Sequence, residues 1–284
     1  MPGLVATRVP TRAGSSSGPL RLFNIATTED DRIVEHADWV EANTFFRDDL
    51  SVSRKDLERS LVQALSAAAS TGENYANDAF KELESRASSC GDVGGRSSYP
   101  FKLETDLSLI RAPRRTLRGL SDAQLIYIFL LLVSRMEMDS SSRVLDGIDP
   151  TKVFEAVCAN VLRTFMGAKS PLTDSMIFGT SRTEARTFRA AIDKLCQNLS
   201  EGGGWKTGAR APRGGDGKLD IVAWKRFQDG RVGSLIGFAQ CKTGIHWRKG
   251  LPQLQPEPFC RKFMAALPHL IPFRSYMVPH RIAS

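Results

Sequence analysis

Asp220, Gln240 and Lys242 have the types and spacing to hold a divalent cation beside a phosphodiester. They lie within Gly214–Gly244, GGDGKLDIVAWKRFQDGRVGSLIGFAQCKTG, which reads as two apolar strands joined by a polar hairpin. Successive strand side chains face opposite ways, so Gln240 and Lys242 share a face and Cys241 points away. Mg²⁺ prefers oxygen ligands and keeps several waters. Asp220 is then the principal ligand, and the Gln240 side-chain oxygen and the Cys241 backbone carbonyl complete the protein edge. Lys242 is placed to orient or deprotonate an attacking water, or to stabilise developing charge. Duller roles stand beside these: Asp220 as a strand-start acid bonding a turn amide, Gln240 and Lys242 as solvent-facing residues of an edge strand, and Asp216 as turn chemistry.

The elements expected to carry these residues begin at Asp149-Pro150, an N-cap followed by proline in the first helical position. The helix that follows, TKVFEAVCANVLRTFMG, is expected to present Val153, Val157, Val161 and Phe165 as its apolar ridge, widened by Phe154 and Cys158. Glu155 then sits at the margin of the apolar face, from where it can supply a second carboxylate or remain a surface charge. A capping box, Ser181-Arg-Thr-Glu184, is expected to open a second helix through Leu199. A short strand at Trp205–Arg210, the Asp220 and Gln240 strands, a helix around Pro258–Leu267 and a last strand at Arg274–Val278 complete the order.

GGDGKLDIVAW followed by GFAQCK resembles the PD-(D/E)xK nuclease superfamily, and most of all its Mrr-like restriction-endonuclease branch with a Q-x-K strand. FEAVCANVL is similar to that branch's first core helix, which places its glutamate at Glu155. The resemblance covers roughly Asp149 to Val278. It implies an α/β fold with a restriction-endonuclease-like αβββαβ core, a mixed sheet flanked by helices. It also implies DNA cleavage with Mg²⁺ or Mn²⁺, in a family that commonly serves bacterial restriction, anti-phage defence or repair. Departures are Leu219 before the acid, Lys218 where a second glycine is usual, and Gln240 in place of a carboxylate. The last keeps open a nuclease fold retained for nucleic-acid binding or complex assembly without catalysis; an RNase is a further alternative.

Charge distribution agrees with a polyanion partner. The chain carries a net +8, yet residues 146–284 hold 21 basic and 11 acidic side chains, leaving −2 for the rest. Such a basic half suits DNA binding through counterion release. Lys218, Arg213, His246, Arg248 and Lys249 are the cations nearest the motif and the candidate phosphate contacts. Trp247 and His246 are equally compatible with packing.

Before this half, residues 1–20 are rich in Gly, Ser and Pro and are expected to be disordered. Residues 21–142 are expected to form a mostly helical domain, with helices at Glu29–Ala42, after Ser53, and from Asn74 to Cys90. The capping box Ser121–Gln124 opens an apolar helix, expected as that domain's buried centre. FKLETDLSLI suits a short strand, and Arg111, Arg114, Arg115 and Arg118 form a basic run before that helix. Being neutral to acidic, this domain is expected to contact protein or self-associate rather than grip DNA.

Several chemistries are excluded. GGDGK is not a P-loop, because Pro212 and Leu219 occupy required glycine and hydroxyl positions. Five cysteines without a C-x-x-C pair argue against a disulfide framework or zinc site and suit a reducing cytoplasm. No apolar run approaches the ~20 residues of a membrane span, and no signal peptide is expected.

Overall fold

Why Asp220 and Gln240 become neighbours follows from two strands buried on both faces. IVAW and IGFAQ are continuous buried runs, the pattern of a central strand covered on each side. The computed structural model describes residues 32–65, 68–93, 96–112, 117–134, 144, 146–167, 170–179, 187–212, 217–244 and 247–282. In chain order these form α1 (Arg32–Phe46), β1 (Ser51–Ser53), α2 (Arg54–Leu65), α3 (Ala69–Ser89), β2 (Asp92–Val93), β3 (Arg96–Ser97), β4 (Lys102–Leu103) and β5 (Leu109–Arg111). There follow α4 (Asp122–Ser134), α5 (Pro150–Phe165), β6 (Thr173–Ile177), α6 (Phe188–Leu199), β7 (Ile221–Lys225), β8 (Leu235–Cys241), α7 (Pro256–Phe263) and β9 (Phe273–Met277). A 3₁₀ turn, Trp247–Gly250, precedes α7.

The chain divides into two compact units: residues 1–81 with 101–115, and residues 82–100 with 116–284. In the first, α1 buries Val34, Ala37 and Val40, α2 buries Leu57 and Leu61, and α3 buries Ala76, Ala79 and Phe80. Ser53 caps α2 reciprocally: its hydroxyl accepts from the Asp56 amide (3.1 Å) while the Asp56 carboxylate accepts from the Ser53 amide (2.9 Å). The stretch expected as one strand turns back on itself. β4 pairs with β5, and β5 with β1, in a three-stranded antiparallel sheet. Arg111 belongs to that sheet, whereas Arg114 and Arg115 lie outside the described residues, as do residues 1–20.

The second unit is built on a four-stranded sheet in the order β6-β7-β8-β9, antiparallel except for the parallel β8–β9 pair. One face is covered by α5 and α4, which gather Phe154, Cys158, Leu162 and Val133 against Ile221, Ala223 and Ala239. The other is covered by α6 and α7, whose Ile192, Leu195, Phe259 and Phe263 meet Val222, Trp224 and Phe238. The fold is therefore α/β with a mixed sheet between helical layers.

Four expectations are corrected. The first strand is Thr173–Ile177, before the inserted helix, and Trp205 makes only an isolated bridge to Met264. TDSMI escaped notice because an edge strand need not be apolar on both faces. Helix α5 buries Phe154, Cys158, Ala159 and Leu162, while Phe165 on the supposed ridge is 80% exposed. Helix α4 does start at the Ser121–Gln124 box, with mutual bonds of 3.1 and 3.3 Å, but it packs into the second unit's core beside α5 and leaves Ile126 exposed. Finally, α6 is capped by Thr187, whose hydroxyl accepts from the Ala190 amide (3.2 Å), and Ser181–Glu184 lie outside the described residues.

Candidate metal centre

The turn that delivers Asp220 has two consecutive left-handed residues, Gly217 (φ +68) and Lys218 (φ +73). A side chain is strained there, which is why a second glycine would suit position 218. Gly217 is fixed from outside as well, because a Cβ would meet Phe259 Cε2 at 3.0 Å and Phe188 Cζ at 3.5 Å. The turn backbone thus rests on the aromatic cluster beneath α6 and α7. Gly217→Ala is expected to destabilise the protein by about 2 kcal/mol. Lys218→Gly relieves strain and loosens the unfolded chain, so it should change stability by less than about 0.5 kcal/mol. Chemical denaturation of both variants checks the pair, and equal effects would show that the turn is not seated as described.

Asp220 follows directly. Its amide donates to Ala239 O (3.0 Å), its carbonyl accepts from Phe178 N (2.8 Å), and its Oδ2 accepts from the Cys241 amide (2.7 Å). The carboxylate therefore lies across the end of the β7–β8 ladder, with one oxygen bonded to a strand amide rather than to the turn amide of the duller alternative. Ile221 registers with Ala239, so Asp220 stands opposite Gln240 one step beyond, with Cβ atoms about 5 Å apart.

Gln240 is not solvent-facing: its side chain is fully buried. Its Nε2 donates to Gln253 Oε1 (2.9 Å), and its own Oε1 is buried with no hydrogen-bond partner. Phe238 lies in the α6–α7 core and Ala239 and Cys241 against the α5 core, so alternation puts Gln240 and Lys242 on the α7 side. Lys242 continues the ladder by donating to Met277 O (2.9 Å). Its stem crosses Gly250, where an added Cβ would sit 3.1 Å from Cε.

Glu155 is carried by α5, which packs on the other face of the sheet. Just past α5, Gly167 lies beside Lys225, whose Nζ would be 3.4 Å from an added Cβ. Glu155 is half-buried beside Phe154, Cys158 and Ala159 of the buried stripe.

Sequence reasoning missed Tyr276, Arg274 and Gln253. Tyr276 registers with Gln240, and its hydroxyl donates to Trp247 O (2.6 Å) and touches Gly250 beside Lys242. Burial and the nearby Asp220 carboxylate push its phenol up, opposed by Arg274. Trp247 is buried against Tyr276 and His280, with the Arg248 guanidinium 4.4 Å above its ring, so it packs rather than waits for substrate. Lys218, Arg248 and Lys249 are exposed; Arg213, His246 and Asp216 lie outside the described residues. Cys260 is no nucleophile, since burial, with Cys196 nearby, pushes its thiol up to about 12.

Among the described residues no three His, Cys, Asp or Glu side chains gather as a metal-binding group. Asp220 and the partnerless Gln240 oxygen nevertheless fit a hard cation that keeps most of its waters, and the Cys241 amide orients the carboxylate as an outer partner would. Compared with protein-family models, curated proteins and solved structures, the chain matches none. The nuclease resemblance therefore rests on the motif residues themselves. No helix among the described residues is long and apolar enough to cross a membrane.

Proposed function

We propose that the chain is a divalent-metal-dependent DNA endonuclease, with Mg²⁺ or Mn²⁺ held at the end of the β7–β8 pair. The observation that carries this reading is the placing of Asp220 opposite Gln240, with its carboxylate bonded to Cys241 and Lys242 next in line. The element order supports it: with α6 set aside, α5, β6, β7, β8, α7 and β9 follow the αβββαβ order that the motif implies. The positive excess of residues 146–284 suits a DNA backbone.

In this reading Asp220 and Gln240 would hold the metal from adjacent strands, with the Cys241 carbonyl as a further ligand and Glu155 as a second carboxylate. When bound, the ion polarises the phosphodiester and makes water a better nucleophile. Lys242, steadied by Gly250 and Tyr276, brings its ammonium to the attacked phosphate or the water. Lys218, Arg248 and Lys249 contact the backbone on either side.

Supercoiled plasmid incubated with the protein should be nicked in the presence of Mg²⁺ or Mn²⁺ and left intact in EDTA. RNA offered in the same assay separates a ribonuclease. Intact plasmid with both metals would overturn the proposal. A non-catalytic DNA-binding module is the second reading, favoured by the sealed, uncharged Gln240; it would shift DNA on a gel and cut nothing.

A further inference from the structure

Gln240 is inaccessible to solvent, so a hydrated cation cannot reach it while the chain stays as described. Gln253, which the Gln240 amide bonds, belongs to the segment Trp247–Gln255, the 3₁₀ turn and the turn that follows it into α7. Trp247 and Leu254 are buried near its two ends, whereas Arg248, Lys249, Leu251, Pro252 and Gln253 are exposed along its outer side. Between those ends the attachments are largely polar. Tyr276 bonds Trp247 O, Arg274 Nη1 donates to Leu251 O (3.0 Å) and Leu254 O (3.3 Å), and Gln240 bonds Gln253.

Resting on the nuclease reading, we propose that Trp247–Gln255 is a lid over the metal centre and that the Gln240–Gln253 bond latches it shut. In the closed state the latch occupies one end of the Gln240 amide and leaves the buried Oε1 without a partner, an arrangement that costs free energy. Opening removes the latch and lets that oxygen take a cation. A ligand shifts a two-state equilibrium by its differential affinity, and here the cation binds only the open form. Arg248 and Lys249 on the outer side give a DNA backbone a hold on the same segment.

Hydrogen–deuterium exchange of the full chain tests this without relying on turnover. In metal-free buffer, Gln253→Ala should speed exchange across residues 247–255 about fivefold. Gln253→Glu, which offers Gln240 a charged acceptor, should slow it. Adding MgCl₂ or MnCl₂ to the unmutated protein should speed exchange in the same residues, with half-saturation at lower metal in Gln253→Ala. Gln253 is exposed on a turn, so neither variant threatens the core. Exchange unchanged by both variants and by metal would overturn the lid. Metal-dependent nicking with a lid that never opens would sink the lid and keep the nuclease; metal-driven opening without nicking of plasmid would do the reverse.

Discussion

Replacing Glu201 by alanine is expected to destabilise the second unit by about 4 kcal/mol. Glu201 follows α6 and is 7% exposed. Its Oε1 accepts from the Gly233 and Ser234 amides (both 2.9 Å), and its Oε2 accepts from the His269 amide (2.9 Å). One carboxylate therefore fastens the tip of the β7–β8 hairpin and the approach to β9 to the end of α6. Hydrogen bonds to a charged acceptor contribute about 1.5–3 kcal/mol each, and stranding a buried donor costs about 1–3 kcal/mol. Domains of this kind have about 5–15 kcal/mol in all, so the loss is a large share. Glu201→Gln keeps an oxygen for the hairpin amides but turns an NH₂ towards a donor, and should cost about 2 kcal/mol. Urea unfolding of the three proteins, followed by near-ultraviolet circular dichroism, gives the ranking. A change below about 1 kcal/mol in the alanine variant would mean the carboxylate is not the clamp its geometry suggests. Because β8 runs from this clamp to Cys241, the proposed metal centre should weaken with it.

Glu201 also shows why part of the molecule was not legible in the chain. Its partners are 32, 33 and 68 residues away, and no local pattern marks a glutamate that serves distant amides. The β7–β8 hairpin was legible for the opposite reason: buried apolar runs, a glycine turn and the alternation at Gln240–Lys242 are all local. Helix α5 lay between these cases. Its existence and its Asp149 cap follow from sequence, the Asp149 side chain accepting from the Thr151 amide (2.9 Å). Both candidate ridges are apolar, however, and only packing against the sheet selects Phe154, Cys158 and Leu162 over Val161 and Phe165. That selection leaves Glu155 half-buried beside the stripe that packs on the sheet. Burial of Gln240 was equally invisible, since it depends on a segment folding back after the strand has ended.

The strongest functional effects are expected at Lys242 and Asp220, provided the substitutions spare the packing. Lys242→Met keeps the stem that lies across Gly250 and removes only the ammonium; it should lower metal-dependent cleavage by at least about 100-fold with DNA affinity little changed. Asp220→Asn keeps an acceptor for the Cys241 amide and removes the ligand charge, so it should abolish cleavage at ordinary metal concentrations while circular dichroism stays native. Asp220→Ala is a poorer test, because losing that acceptor also loosens the end of β8. Gln240→Glu probes the same chemistry from the other side. A carboxylate there should lower the metal required for half-maximal cleavage, yet lower stability in EDTA, because a buried charge without a cation is costly. Cleavage at the unmutated rate by Lys242→Met or Asp220→Asn would remove the metal centre from this end of the sheet. An unchanged metal requirement in Gln240→Glu would remove Gln240 from the ligand set and leave Asp220 to hold the ion with the Cys241 carbonyl and Glu155.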